Sequence, residues 1–270
     1  MVNTRPPSLS PVVVLVTRPE PQAHEWAAAL RERGAHATPL PLLRVTALPG
    51  AQAETAAAWD ALPACRLVMF VSPNAVARFF AARPGVAWPD GVRAAATGPG
   101  TVAALAAHHV PLERIVAPPP EAPRFDSEAL WELLRDEDWR GAKVLIVRGE
   151  EGRDAFSRQL RDAGAQVRLL SAYRREGPEW TPTERALALH ALDRPDRHAW
   201  LMSSSEAIAH LIRFLQDAGR SLPPGALALC THPRIAQTAR EAGFARVLEV
   251  RPAPQAVVEA LTALNPDLAL

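Results

Sequence analysis

The chain has 270 residues, 48% of them hydrophobic and 22% charged, and a formal net charge of +1. That balance suits a globular protein of two ordinary domains or one large one, and it argues against a surface that coats polyanions, so no nucleic-acid partner is expected. The cysteines, Cys65 and Cys230, give neither a disulfide framework nor zinc spacing and point to a reduced, cytoplasmic compartment.

The opening MVNTRPPSLSP has no apolar core of signal-peptide length and reads as a frayed tail. No apolar run approaches the ~20 residues of a membrane span, so no membrane partner is expected. The run VVVLV suits a strand buried on both faces. A polar turn at Arg18 leads into an amphipathic helix carrying Trp26 and Leu30. Gly34 fits the left-handed position that ends it. A second apolar run completes a strand-helix-strand unit of a parallel sheet. TALPGAQAETAAAWDAL predicts a turn and a short helix. CRLVMFVSPNAVARFFAA predicts a strand, a Ser-Pro-Asn turn and a helix, with Ser72 and Asn74 as candidate caps and Pro73 in the first turn. VRAAATGPGTVAALAAHHV repeats that grammar through a Gly-rich turn at Thr97–Thr101. A further strand, a proline loop and a helix capped at Asp126 or Ser127 close this stretch.

Val13–Arg44 then recurs, without a gap, as Lys143–Arg174. Arg18, Glu20, Leu30, Arg31, Gly34, Leu40 and Arg44 meet the identical Arg148, Glu150, Leu160, Arg161, Gly164, Leu170 and Arg174. From His198 the chain echoes its own residues 65–140, with Ser204 falling on Ser72 and Thr231 on Thr97. The whole chain reads as a diverged duplication of a strand-helix array, and its simplest division lies near Gly141.

In open parallel sheets, ligands bind beyond the carboxyl ends of the strands, where the turns into the helices lie. Those turns begin at Arg18, Ser72, Thr97, Arg148, Ser203 and Thr231. Each precedes a helix N-terminus, whose free N–H groups and partial positive charge suit phosphate or carboxylate. Ser72, Ser204 and Asp126 read equally well as simple caps. No dinucleotide fingerprint, phosphate-loop lysine, nucleophile elbow or zinc-binding helix is present. His108, His109 and His232 stand isolated, and both cysteines read as buried packing residues beside strands. Tyr173, the sole tyrosine, ends the duplicated unit.

In VLVTRP, FVSPNAV, ATGPGT, FDSEAL, VLIVRGEEGR, SAYRR, the Ser203–Ala207 turn and APQAVVEAL, in that order and spacing, the chain resembles the uroporphyrinogen-III synthase family along nearly its whole length. The resemblance implies two Rossmann-like or flavodoxin-like α/β domains with parallel sheets. They would be joined by a two-stranded linker, with the active site in the cleft between them. The domains would interleave as residues 1–43 with 177–270 and residues 47–172, linked by strands 44–46 and 173–176. The implied reaction cyclises hydroxymethylbilane, a linear tetrapyrrole polycarboxylate, to uroporphyrinogen III with inversion of ring D and loss of water. The resemblance implies no cofactor and no metal, a monomer, and hand-over of substrate from hydroxymethylbilane synthase.

Tyr173 matches the tyrosine that assists departure of the hydroxyl. The turns put forward Arg18, Ser72, Asn74, Thr97, Gly98, Thr101, Arg148, Gly149, Arg153, Ser203, Ser204 and Thr231 for substrate binding. One turn departs from the family, reading CTHPRI where Gly-Pro-Thr-like residues are usual, with Thr231 and Arg234 as substitutes. The competing readings are a two-lobed binding or sensor protein for an anionic small molecule, and an inactive paralogue of the synthase.

Overall fold

The computed structural model describes residues 12–264 apart from Arg153. Residues 1–11, expected to be a tail, lie outside the described residues. The chain opens with β1 (Val13–Val16), α1 (Gln22–Arg31), β2 (His36–Pro39), β3 (Arg44–Thr46) and α2 (Ala51–Asp60). It continues through β4 (Leu67–Phe70), α3 (Pro73–Ala81), β5 (Arg93–Ala96), α4 (Pro99–Ala107), β6 (Ile115–Val116) and α5 (Ser127–Leu134). The second half runs β7 (Lys143–Gly149), α6 (Ala155–Asp162), β8 (Gln166–Glu176), α7 (Pro182–Asp193) and β9 (His198–Met202). It closes with α8 (Ser205–Asp217), β10 (Leu227–Cys230), α9 (Pro233–Glu241), β11 (Arg246–Glu249) and α10 (Pro254–Leu264).

The chain divides into two compact units, residues 1–44 with 176–270 and residues 45–175. The first holds a five-stranded sheet in the order β11-β10-β9-β1-β2. Along the chain this is the 2-1-3-4-5 order of doubly wound flavodoxin-like folds. The six-stranded sheet, β3-β8-β7-β4-β5-β6, places the corresponding strands in the same spatial order but connects them in a permuted one, 5-4-1-2-3 from β8 to β6, and adds β3 at the β8 edge. The chain leaves one unit for the other within β3 and again within β8, which are neighbouring strands.

The duplication survives in the strand register. Val13 pairs with His36 in the first copy and Lys143 with Gln166 in the second, positions that overlay. Likewise Val14 pairs with Ala199 where Val144 pairs with Leu67, and Ala199 with Leu227 where Leu67 pairs with Arg93. The halves are nevertheless exchanged in space. The first half gives β1-α1-β2 to one unit and β4, β5 and β6 to the other; the second half does the reverse. A division near Gly141 is therefore correct for the repeat and wrong for the folded units. Nothing local in the sequence says which copy of a strand a given edge will accept.

Alternation along each strand sends apolar side chains to both sheet faces. In the first unit Leu15, Trp200, Met202 and Ala228 pack under α7, α8 and α9, while Val14, Val16, Leu201 and Leu229 pack against α1 and α10. In the second, Val68, Phe70, Leu145 and Val147 meet α2, α3 and α4, while Leu67, Met69, Val144 and Ile146 meet α5 and α6. The helix stops follow the expected chemistry, with Gly34 at φ 85° and Gly164 at φ 96°. Asp126, not Ser127, caps α5, accepting the Ala129 N–H at 2.8 Å. Cys230 is buried as expected, but Cys65 lies ahead of β4 and is only partly covered. α7 went unread, although Thr181 and Glu184 form a complete capping box at its start.

Candidate active site

In each sheet the connections reverse direction at one place, between β4 and β7 in one and between β1 and β9 in the other. The carboxyl ends of the strands flanking such a point form the natural crevice. Beyond β4, Ser72 caps α3 by accepting the Ala75 N–H at 3.2 Å. The same Ser72 Oγ lies 2.9 Å from the Tyr173 hydroxyl.

Tyr173 arrives from β8 through an irregularity in the ladder. Arg148 pairs with Ser171, but the next residue, Gly149, pairs with Tyr173. One residue of β8 is thereby unmatched, so the neighbours Ala172 and Tyr173 are both buried where strict alternation would bury one. The phenol ring lies over Gly149, where a Cβ would sit 3.0 Å from Cε2 of the ring. The Glu150 N–H donates to the Tyr173 carbonyl at 2.8 Å. The Arg175 guanidinium donates to the phenol oxygen at 3.3 Å.

In the other unit Thr17, at the end of β1, is buried and donates to the Leu201 carbonyl at 2.7 Å. Arg18 follows it, stacked on Trp26 with its guanidinium carbon 4.1 Å from the ring centroid. Its Nε is buried without a hydrogen-bond partner. Burial pushes the Arg18 pKa down to about 10, which still leaves the group charged at neutral pH. Across the switch point Ser203 follows β9, and Ser204 caps α8 by accepting the Glu206 N–H at 3.2 Å.

The family model described as uroporphyrinogen-III synthase HemD matches residues 24–259. The chain belongs to the uroporphyrinogen-III synthase family. The uroporphyrinogen-III synthase of Salmonella typhimurium is 33% identical over 189 residues, covering 66% of this chain and 70% of that protein. Two solved structures share the fold. A mutant uroporphyrinogen III synthase from Thermus thermophilus matches 96% of this chain and 100% of that one, with TM-score 0.58 and 15% identity. The synthetase from Helicobacter pylori covers 95% and 100%, with TM-score 0.58 and 16% identity. As a uroporphyrinogen-III synthase, this enzyme is a cyclising lyase of tetrapyrrole and heme biosynthesis.

Within this synthase fold the expected site residues divide by what they already hold. Ser72, Gly149 and Tyr173 meet directly. Arg148 is buried and committed locally, pairing with Asp154 and donating to the Gly149 carbonyl at 3.3 Å. Gly152 makes room for it, since a Cβ there would fall 2.6 Å from Arg148 Nη2. Arg153 lies outside the described residues. Gly98 caps α4 against Phe125, and Thr97 lies half-buried at the end of β5. Asn74 is half-buried in the first turn of α3, whereas Thr101 is 4% exposed on the inner face of α4. Thr231 donates its N–H to the Met202 carbonyl at 3.1 Å.

Sequence reading missed three contributors. His232, read as isolated, caps α9 by accepting the Arg234 N–H at 3.1 Å. Arg175 and the Arg18–Trp26 stack went unnoticed, although Trp26 lies in the second turn of the helix that Arg18 introduces. The identities shared by the two copies also serve different contacts. Glu150 takes a two-pronged contact from Arg174 at 2.7 and 3.0 Å. Their counterparts part company: Glu20 meets His24 at 2.6 Å, and Arg44 meets Glu176 at 3.1 Å and Glu179 at 2.7 Å. Among the described residues no cluster of His, Cys, Asp and Glu could hold a metal ion, and no helix is long and apolar enough to cross a membrane.

Proposed function

We propose that the tetrapyrrole substrate is hydroxymethylbilane and that Tyr173 is the acid that helps its hydroxyl depart. The observation that carries this reading is the hydrogen bond between Ser72 and Tyr173 at the β4–β7 switch point. A neutral phenol can give a proton or hydrogen bond to a leaving oxygen at neutral pH. Loss of the hydroxyl leaves an electrophilic azafulvene, and ring D attacks it through its substituted carbon to give a spiro intermediate that reopens as the type III ring. The enzyme's main task is to hold the chain so that this attack outruns simple closure to the symmetric isomer I, which is catalysis by positioning.

Turns of both units hold the substrate's carboxylates: Arg18, Ser203, Ser204 and Thr231 in one, and Asn74, Thr97, Gly98 and Arg153 in the other, while the buried Thr101, Arg148 and Gly149 hold those turns in shape. The unpartnered, buried Nε of Arg18 supports this assignment, because a carboxylate would satisfy it. The enzyme works as a cytoplasmic monomer with domains 1–43 plus 177–270 and 47–172, joined by strands 44–46 and 173–176. It takes its substrate by hand-over from hydroxymethylbilane synthase.

The test is a coupled assay in which hydroxymethylbilane is generated in situ and the oxidised products are separated as isomers I and III. Isomer III in excess over spontaneous isomer I, with a loss of ~100-fold or more in Tyr173→Phe, is the expected result. Isomer I alone from folded protein would sink the reading in favour of a binding protein or an inactive paralogue.

A further inference from the structure

Tyr173 is fully buried, 0% exposed, while Arg175, two positions along the same strand, is exposed to solvent. The Arg175 guanidinium donates to the phenol oxygen at 3.3 Å, with its central carbon 5.7 Å from the ring centroid. A guanidinium has five N–H donors and no acceptor. The phenol must therefore accept from Arg175 and point its own proton elsewhere, with Ser72 Oγ within hydrogen-bond distance at 2.9 Å. Nearby along β7 and β8, Arg148 pairs with Asp154 and Arg174 with Glu150. Arg78 of α3 donates to the Val45 carbonyl at 3.0 Å.

We propose that Arg175 is a positioning residue that acts through Tyr173, aiming the phenol proton away from itself and stabilising the phenolate as it forms. This inference rests on the reading of Tyr173 as the acid. In the step concerned, the phenol proton passes to the departing hydroxyl oxygen. The C–O bond breaks with its electron pair on that oxygen, and water leaves. The phenolate then faces the fixed positive charge of Arg175, so the long contact shortens as charge develops. The proton released when ring D regains its aromatic character returns to the phenolate, and the cycle closes.

The test is steady-state kinetics of isomer III formation by Arg175→Gln, Arg175→Lys, Tyr173→Phe and the double variant Tyr173→Phe/Arg175→Gln. Arg175→Gln is expected to lower kcat by ~10–100-fold with KM within about twofold, the pattern of an interaction made in the transition state. Arg175→Lys, which keeps the charge, should recover most of that loss. In the Tyr173→Phe background Arg175→Gln should cost nothing further, because its effect passes through the missing hydroxyl. A raised KM with unchanged kcat would instead make Arg175 a carboxylate receptor and overturn the proposal. So would wild-type kinetics in Arg175→Gln, or a loss that simply multiplies with that of Tyr173→Phe. Full activity in Tyr173→Phe alone overturns the acid reading itself, and that arm separates the two failures.

Discussion

Gly149 and Tyr173 are in contact so close that a methyl group on Gly149 would push the phenol ring back by a few tenths of an ångström. A Cβ on Gly149 would lie 3.0 Å from Cε2 and 3.2 Å from Cζ of the phenol ring. The ring cannot retreat freely, because Ala172, Leu170 and Val147 pack in the same core. Gly149→Ala is therefore expected to displace the phenol from Ser72. A shift of a few tenths of an ångström falls short of the ~1 Å misplacement that can cost ~100-fold, so we expect kcat for isomer III to fall by roughly 2–10-fold, with unfolding free energy lowered by only about 1–3 kcal/mol. Product chromatography and thermal unfolding followed by circular dichroism check the two halves separately. Wild-type turnover in a folded variant would show that the phenol's position does not matter.

Arg18 presents the opposite case, a buried charge that costs stability and that we propose a substrate carboxylate meets. Its Nε is buried and unpartnered, and burial pushes its pKa well below the ordinary arginine value, to about 10. The folded value lies below the unfolded one, so the unfolded chain binds the proton more tightly. The penalty is complete below about pH 10 and is relieved as pH rises from there toward the ordinary arginine value. Arg18→Met keeps a flexible side chain over Trp26 and removes the charge. It should raise the melting temperature at pH 7 by ~2–4 °C, corresponding to about 1 kcal/mol. It should also lower kcat/KM by ~10–100-fold through loss of a charged hydrogen bond to substrate. A destabilised variant would mean that the stack on Trp26 outweighs the buried charge.

Much of this was legible from residue types. Val14–Val16 and Val144–Val147 read as strands because β-branched runs suit a sheet covered on both faces. Gly34 and Gly164 read as stops because the left-handed conformation favours glycine. Ser72 and Ser204 read as caps, and the strand registers agree with the internal overlay. What stayed hidden depends on distant parts of the chain. Ser72 and Tyr173 are 101 positions apart, and the unmatched residue in β8 that turns Tyr173 inward has no signature of its own. The exchange of strand-helix-strand units between the halves is likewise a choice between two nearly equivalent edges. Only the family resemblance implied an interleaved chain.

A last expectation concerns the far end of the second sheet, away from the switch point. Glu137 accepts from Arg66 at 2.6 Å and from Arg93 at 2.9 and 2.6 Å, tying together the starts of β4 and β5. The hydrogen bonds from Arg93 come first among the causes that hold the Glu137 carboxyl below its ordinary value of 4.5. The folded value is thus the lower one. The stabilisation is complete above pH 4.5 and disappears as pH falls through the depressed folded value. Its side chain is 26% exposed, so solvent screens part of the effect, and Glu137→Gln should cost about 1–2 kcal/mol at pH 7. Urea unfolding of the two proteins should converge as pH is lowered through the acid range, while isomer III turnover at pH 7 stays unchanged. A stability gap that persists undiminished in acid would show that the charge on Glu137 is not its source.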